Sequence, residues 1–570
     1  LLPNALFTNA GLLMAGLPPA GGSDWLDFLT HSVDLPLPDG NSEPLGPIVD
    51  PSGLVLAPVG TPDEYLIFAR KRLGWAVDNA LGATWAPQRD ALVESMLNVL
   101  LEARDAQVSV VKETLAVYAG VAVELAIPVI NWAGTTVFRL LKLLIQRIGL
   151  TGDTQEQRRN VETDSLIDLL AEVRRRSAVA STLELTAELL QDYLDYGHLA
   201  WLGQADKYTI SLNTLYYLSV LKRAFALSEQ PPHKLLDYLR QVNALPTLSD
   251  HARALAHQAS TIKLAEYFGW SVQEVRECAE RIDPALSILK NLKQLDLLMR
   301  VLVLSTETGI DAQTIFQIGT LPATVNDSDS KKAYADAAER ALLSETGKHA
   351  PRVEMATDLK QLVTTTCVVD NTELIARNAD EKATFTVTVK NAAGQALEGI
   401  TVYWQTTLGT LENGITDITG TLKSEYRPGR HLGAETPKYW LDLFDPEYAP
   451  TINIIADSKT MGFPLFYRSP VPSEVVPRGR EVELYATMMD CYGNLGQDML
   501  VDWLVASVEY SKRPVAIVRP SQAFTNQQGL TRVFVSSPTG GTFEFSVLSQ
   551  GSEEEAVFNP ITFEGDKAPE

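Results

Sequence analysis

Apolar residues along the chain keep two different rhythms, and the change falls near residue 365. From about residue 63 to 345 they recur at spacings of three and four. Leu92, Met96, Leu97 and Leu100 form one such set, and Leu235, Leu236 and Leu239 another. That spacing lays one apolar stripe along a 3.6-residue helix. The connections are short and marked by Gly or Pro, which predicts helices packed antiparallel. Beyond residue 365 the period drops to two. Phe385, Val387 and Val389 alternate with Thr384, Thr386 and Thr388, then come the turn Asn391-Ala392-Ala393-Gly394 and the run Ile400-Thr401-Val402-Tyr403-Trp404. Alternation bounded by turn residues predicts half-buried strands.

The strand pattern repeats. Leu484, Ala486 and Met488 stand 99 positions after Phe385, Val387 and Val389, followed by Asp490-Cys491-Tyr492-Gly493-Asn494 and Val501-Asp502-Trp503. Residues 525–529 echo 416–420 with a shift of 109. A repeat of about 100 residues built from short strands predicts two tandem sandwiches. Within the helical stretch, residues 115–123 resemble 264–272, and Gly309-Ile310-Asp311-Ala312 repeats the end of that unit. Gly269 and Gly309 are expected to end helices in the left-handed conformation. Ser271 with Glu274 is expected to form a capping box, and Asp311 to cap the third copy.

The expected fold class is therefore multidomain: an all-α helical-repeat domain followed by two all-β immunoglobulin-like sandwiches. The expected limits are a Pro/Gly-rich extended segment at 1–62, helices at 63–364, and sandwiches at 365–467 and 468–570. In the first segment, Leu54-Val55-Leu56 is expected to lie extended across a neighbour.

Composition narrows the function. With 71 acidic against 48 basic residues the net charge is −23, which repels nucleic acid and anionic membrane faces. Cys278, Cys367 and Cys491 are odd in number and far apart, so no disulfide framework is expected. The chain opens on Leu1 with no basic n-region, which reads as a fragment or processed product. Between Leu115 and Val137 only Glu124 is charged, a length that spans a bilayer. Gly120, Pro128 and Asn131 interrupt it, so a helix hairpin buried in protein is expected.

Catalytic and metal motifs are missing. His251 and His257 are six apart, where helical metal sites use i, i+4. Asn326-Asp327-Ser328-Asp329-Ser330 begins like a calcium loop, but Ala338 stands where the loop needs Glu, so a helix N-terminal loop is expected. A pair of carboxylates meeting in space for glycoside hydrolysis cannot be read from spacing. No enzyme activity, cofactor or metal is expected. Trp404 and Trp503 occupy equivalent strand positions and are expected in the two cores. Tyr439 and Trp440 must point to opposite faces of one strand, so one of them is a candidate receptor or sugar contact.

Two resemblances bear on role. Residues 208–219, Leu235-Leu236-Asp237-Tyr238-Leu239, residues 264–275 and Leu295-Asp296-Leu297-Leu298-Met299-Arg300, leading into Thr308-Gly309-Ile310-Asp311-Ala312, together resemble the helical region of toxin-complex A subunits and virulence-plasmid A proteins, over about 85–345. The sandwiches resemble bacterial immunoglobulin-like domains of the invasin and intimin type, on the turns at 391–394 and 490–494, Gly409-Thr410-Leu411, and Thr416-Asp417-Ile418-Thr419-Gly420. The resemblance implies a secreted or cell-surface toxin-delivery component. Its implied partners are other toxin-complex subunits or toxin chains, within a larger homo-oligomer, and a host receptor or glycan. The chain lacks the sustained heptads of a pore-forming coiled coil. The alternative is a purely assembling or spacer module, or an adhesin-type one, that docks another toxin chain or effector.

Overall fold

A computed structural model describes residues 2–36, 41–82, 88–148, 163–345, 356–469, 475–508, 515–549 and 555–565. The chain divides into two compact units, residues 1–243 with 264–350, and residues 244–263 with 351–570. Helices run as α1 (Asn9–Met14), α2 (Pro62–Leu81), α3 (Arg89–Ala119), α4 (Ala126–Trp132), α5 (Val137–Ile148), α6 (Thr163–Thr182), α7 (Ala187–Asp192), α8 (Leu212–Leu227), α9 (Pro232–Asn243), α10 (Asp250–Phe268), α11 (Val272–Ile282), α12 (Leu292–Thr308), α13 (Ala312–Gly319) and α14 (Ser328–Glu345).

The first sixty residues are more than the extended segment their composition predicts. They hold α1, 3-10 turns at Leu2–Ala5 and Trp25–Phe28, and a hairpin of β1 (Val33–Pro36) with β2 (Ser42–Leu45). Phe7, Leu12, Trp25, Leu29, Ile48 and Val49 are buried in one core with Ala69 and Leu73 of α2 and Met96 and Leu97 of α3. Irregular backbone can be buried only if its polar groups find partners, and two buried side chains supply them. Gln107 donates to the carbonyls of Ala5 (3.0 Å) and Gly53 (3.3 Å) and accepts from the Val55 N–H (3.1 Å). Arg72 donates to the carbonyls of Gly46 (3.1 Å) and His31 (2.8 Å), and burial pulls its guanidinium down to about 10.

Among the described residues no single helix is long and apolar enough to cross a membrane; α3 and the segment Val123–Trp132 pass together only across a bend of 111°. Gly120 ends α3 in the left-handed conformation (φ 67°), and Ala126, Val129, Ile130 and Trp132 of α4 are fully buried. The expected buried hairpin is therefore met only in its second half, since Val117, Tyr118 and Val123 at the end of α3 and in the turn are exposed.

Gly269 and Gly309 adopt positive φ as expected, and the Asp311 side chain accepts from the Thr314 N–H at 2.7 Å, capping α13. The capping box at Ser271 does not form. Ser271 makes no side-chain cap, and the Glu274 carboxylate instead accepts from the Ala312 N–H at 2.6 Å, at the start of a helix 38 residues on. A tertiary demand for an acceptor at the α13 N-terminus outcompetes the local one. Asp311→Ala is accordingly expected to lower stability by about 1 kcal/mol, and Ser271→Ala by no more than a few tenths. Parallel thermal melts of the two variants check this. Asp327 caps α14 by accepting from the Ser330 N–H (2.7 Å), as the expected helix N-terminal loop requires, and no metal-holding group of side chains occurs among the described residues.

The second unit contains two β-sandwiches. In the first, β3 (Val363–Val369), β5 (Ala383–Asn391), β9 (Thr421–Pro428) and β7 (Gly409–Thr410) form one sheet in the order β3-β5-β9-β7. Facing it are β12 (Glu447–Tyr448), β11 (Lys438–Leu441), β6 (Thr401–Gln405) and β8 (Gly414–Ile415), in that order, and a small sheet of β10 (Gly433–Glu435), β13 (Ile452–Ile455) and β4 (Glu373–Ile375). In the second sandwich one sheet is β14 (Gly462–Arg468), β16 (Val482–Met489), β20 (Leu530–Ser536) and β18 (Ile517–Arg519). The other is β15 (Val475–Val476), β23 (Ile561–Phe563), β21 (Gly541–Ser549), β17 (Leu500–Ser507) and β19 (Gln522–Phe524), with β22 (Glu555–Val557) also on β21. The second sandwich thus begins before residue 468, because β14 pairs with β16. Met461 and Phe463 are buried in its core, but a register shift around Pro464 breaks the alternation that would mark the strand.

The internal repeat holds atom by atom. Asn391 Oδ1 accepts from the N–H of Ala393 and Gln395 (3.0 and 2.9 Å), as Asp490 Oδ1 does from Tyr492 and Asn494 (2.9 and 2.8 Å). The Thr416 hydroxyl accepts from Ile400 N–H (2.9 Å) and donates to the Leu397 carbonyl (2.6 Å). Thr525 repeats this with Met499 (2.9 Å) and Gly496 (2.5 Å). One contact therefore spans both shifts, 99 and 109.

Candidate functional site

Strand β11 alternates as a half-buried strand must. Tyr439 and Leu441 point into the first sandwich, while Lys438 and Trp440 lie on its outer face. Tyr439 is 3% exposed and packs against Trp404 at 5.6 Å between ring centroids. Its hydroxyl donates to the Glu447 carboxylate at 2.8 Å, and burial pushes its ionisation up. Of the two residues singled out from sequence, then, Tyr439 is a core residue, and Trp440 faces outward.

Trp440 is half-buried because its cross-strand partner on β6, Tyr403, stacks on it at 5.8 Å with planes 17° apart. The Tyr403 hydroxyl donates to Asp442 at 2.9 Å; burial pushes that carboxyl above its ordinary range, against the lowering effect of the tyrosine. On the other side, Lys438 pairs with Tyr448 on β12, its ammonium 5.3 Å from the ring centre. Tyr448 is 70% exposed. The outer face therefore carries a stacked ring pair, Tyr403 and Trp440, and beside Lys438 the exposed ring of Tyr448, with one ammonium and one carboxyl among them. Rings locked by stacking lose little rotamer freedom on binding, and their polar edges give orientation. Such a face suits recognition of another surface.

Tyr403, Lys438 and Tyr448 were not singled out from sequence. The position of Tyr403 between inward Val402 and Trp404 marks it as outward facing, but its pairing with β11 is non-local. Trp404 and Trp503 are core residues, 8% and 3% exposed, as expected.

The second sandwich has its own outward pair. Tyr467 and Tyr485 are cross-strand partners stacked at 4.9 Å and 16°, and Arg532, opposite Tyr485, lies 5.8 Å from the Phe534 ring. The two sandwiches meet through a buried polar joint. Asn494 Nδ2 donates to the Ala376 carbonyl of the first sandwich (2.7 Å) and to Asp490 Oδ2 (2.8 Å), which also accepts from the Asp457 N–H in the linker (2.8 Å). Asn494 is 2% exposed, whereas its counterpart Gln395 in the first sandwich is exposed.

No protein-family model matches the chain, and no curated protein does. Among solved structures it is similar to the adhesin InvE of Yersinia pseudotuberculosis, at 16% identity over 36% of this chain and 60% of that one, TM-score 0.25. It is similar to invasin, a bacterial integrin-binding protein, at 17% identity over 36% of this chain and 41% of that one, TM-score 0.25. It is also similar to a C-terminal 282-residue fragment of intimin in complex with the intimin-binding domain of the translocated intimin receptor, at 21% identity, over 34% of this chain and 63% of that one, TM-score 0.20. The chain spans less than two thirds of each of these three. At these scores the likeness carries no functional inference, and the immunoglobulin-like fold rests on the strand pairing above.

Proposed function

We propose that this chain is a non-catalytic recognition module of adhesin type, secreted or displayed on a bacterial surface, whose first sandwich contacts a receptor or glycan on a target cell. The observation that carries this reading is the outer set of Tyr403, Trp440, Lys438 and Tyr448, an aromatic patch with polar edges on a sheet rather than a loop. Aromatic anchors of this kind dominate the energetics of interfaces. The joint through Asp490 and Asn494 supports it too, because a fixed mutual orientation of two modules lowers the ordering cost of binding a large target. The 570-residue chain is expected to bind target cells saturably, and Trp440→Ala with Tyr448→Ala to weaken that binding by about 2 kcal/mol or more, roughly 30-fold. Equal binding by the double variant, with an unchanged melting curve, would remove the reading.

A second reading is a scaffold role in a toxin-complex-like particle, docking other toxin chains in a larger homo-oligomer. The resemblance over about 85–345 favours it, as do exposed apolar residues on the helical unit such as Leu212, Ile318 and Leu342. Light scattering separates the two: a concentration-dependent oligomer favours the scaffold, a monomer that binds cells favours the adhesin.

A further inference from the structure

The helical unit contains a groove between α8 and α12 that the recognition role does not use. Its cavity volume is about 640 Å³, and its lining is Arg223, Ala226 and Leu227 from α8 with Met299, Arg300, Val303 and Leu304 from α12. Met299 is buried and forms the floor, while Leu227 and Leu304 stand exposed on the rim. One end is polar. Asp296, itself buried, accepts from the Tyr216 hydroxyl (2.8 Å), from Arg223 (2.9 Å) and from Arg300 (2.8 Å), and Arg300 also donates to the Tyr216 oxygen (2.6 Å). One carboxylate thus serves two guanidiniums. The cluster carries a net positive charge on a chain that is strongly acidic overall.

We propose that this groove binds a compact amphiphilic anion, an apolar body over Met299, Val303, Leu227 and Leu304 with a single carboxylate at Arg223 and Arg300. A guanidinium presents five N–H donors in a planar fork, so each arginine can keep Asp296 and still offer donors to a ligand carboxylate. Asp296 does not repel that group strongly, because it is covered by three donors. The dimensions select a small molecule over a helical peptide. The α12 wall runs only from Met299 to Leu304, about 7.5 Å at 1.5 Å per residue, whereas helix-in-groove recognition uses anchors at i, i+3 or i+4, and i+7. Small-ligand sites are apolar clefts of about 300–1,000 Å³ with a few convergent polar groups, and this groove lies within that range.

The test is titration of the full chain with octanoate, 1-octanol and octylamine, followed by calorimetry and by methyl NMR of the methionines. Octanoate is expected to saturate and to shift Met299, with the alcohol about threefold weaker or more and the amine excluded. Arg300→Gln is expected to bring octanoate down to the level of octanol, and Val303→Phe to block both while the circular dichroism stays unchanged. Equal binding of octanoate and octanol by the native chain would overturn the proposal without any variant. So would tight binding of an acidic amphipathic peptide where octanoate fails, since that marks a protein-docking groove.

Discussion

Trp404→Ala is expected to destabilise the first sandwich by about 4 kcal/mol, within the 3–5 kcal/mol range for emptying a buried aromatic site. The indole fills the space between the two sheets, with Phe385 and Tyr439 each 5.6 Å away between centroids. Its Nε1 donates to the Ser424 hydroxyl at 3.1 Å. Truncation opens a cavity that strands paired on both sides cannot close. Trp503 occupies the same position one repeat later, but its Nε1 meets no acceptor among the described residues. The two tryptophans should therefore respond differently to phenylalanine. Trp404→Phe loses a hydrogen bond and some volume, while Trp503→Phe loses volume and relieves an unpaired buried donor, a cost of about 1–3 kcal/mol. Denaturant titration of the two phenylalanine variants should place Trp404→Phe as the more damaging. The reverse order would show that the indole N–H groups do not decide the difference.

Asp490→Ala is expected to cost about 3 kcal/mol and to loosen the two sandwiches from one another. The carboxylate accepts four hydrogen bonds, from the N–H groups of Asp457, Tyr492 and Asn494 and from the Asn494 amide. Removing it leaves several of those donors unsatisfied in a buried setting, at about 1–3 kcal/mol for each that water cannot reach. Asn391, its counterpart in the first sandwich, holds the same turn through two N–H groups. Its loop is solvent-accessible, so Asn391→Ala should cost only about 1 kcal/mol. Small-angle scattering adds a readout that stability alone does not. The Asp490 variant should show a broader distribution of interdomain distances, and the Asn391 variant a distribution like the native one.

Much of this was legible in residue order. The switch from helical to alternating rhythm separates the two kinds of structure, and the repeat predicts even the paired threonines, because the same local geometry needs the same side chain. That Tyr439 and Trp440 face opposite ways follows from the strand period alone. Which of them faces outward depends on the partners of β11, set by chain segments far away in sequence. Non-local demands explain the other misses. Ser271 and Glu274 carry a capping-box spacing, yet Glu274 serves the start of α13, two helices on. Phe7, Trp25 and Ile48 follow no period, since irregular backbone is held by Gln107 and Arg72 rather than by a ladder. Nothing local marks Asn494 as a joint and Gln395 as solvent-facing, because only the neighbouring module distinguishes them.

The most direct measurement is hydrogen exchange of the full chain with and without solubilised membranes from cells it binds. Recognition through the first sandwich predicts added protection at residues 401–405 and 438–448, with little change in α2 or α3. Protection confined to the helical unit, leaving β6, β11 and β12 exchanging as in the free chain, would contradict it.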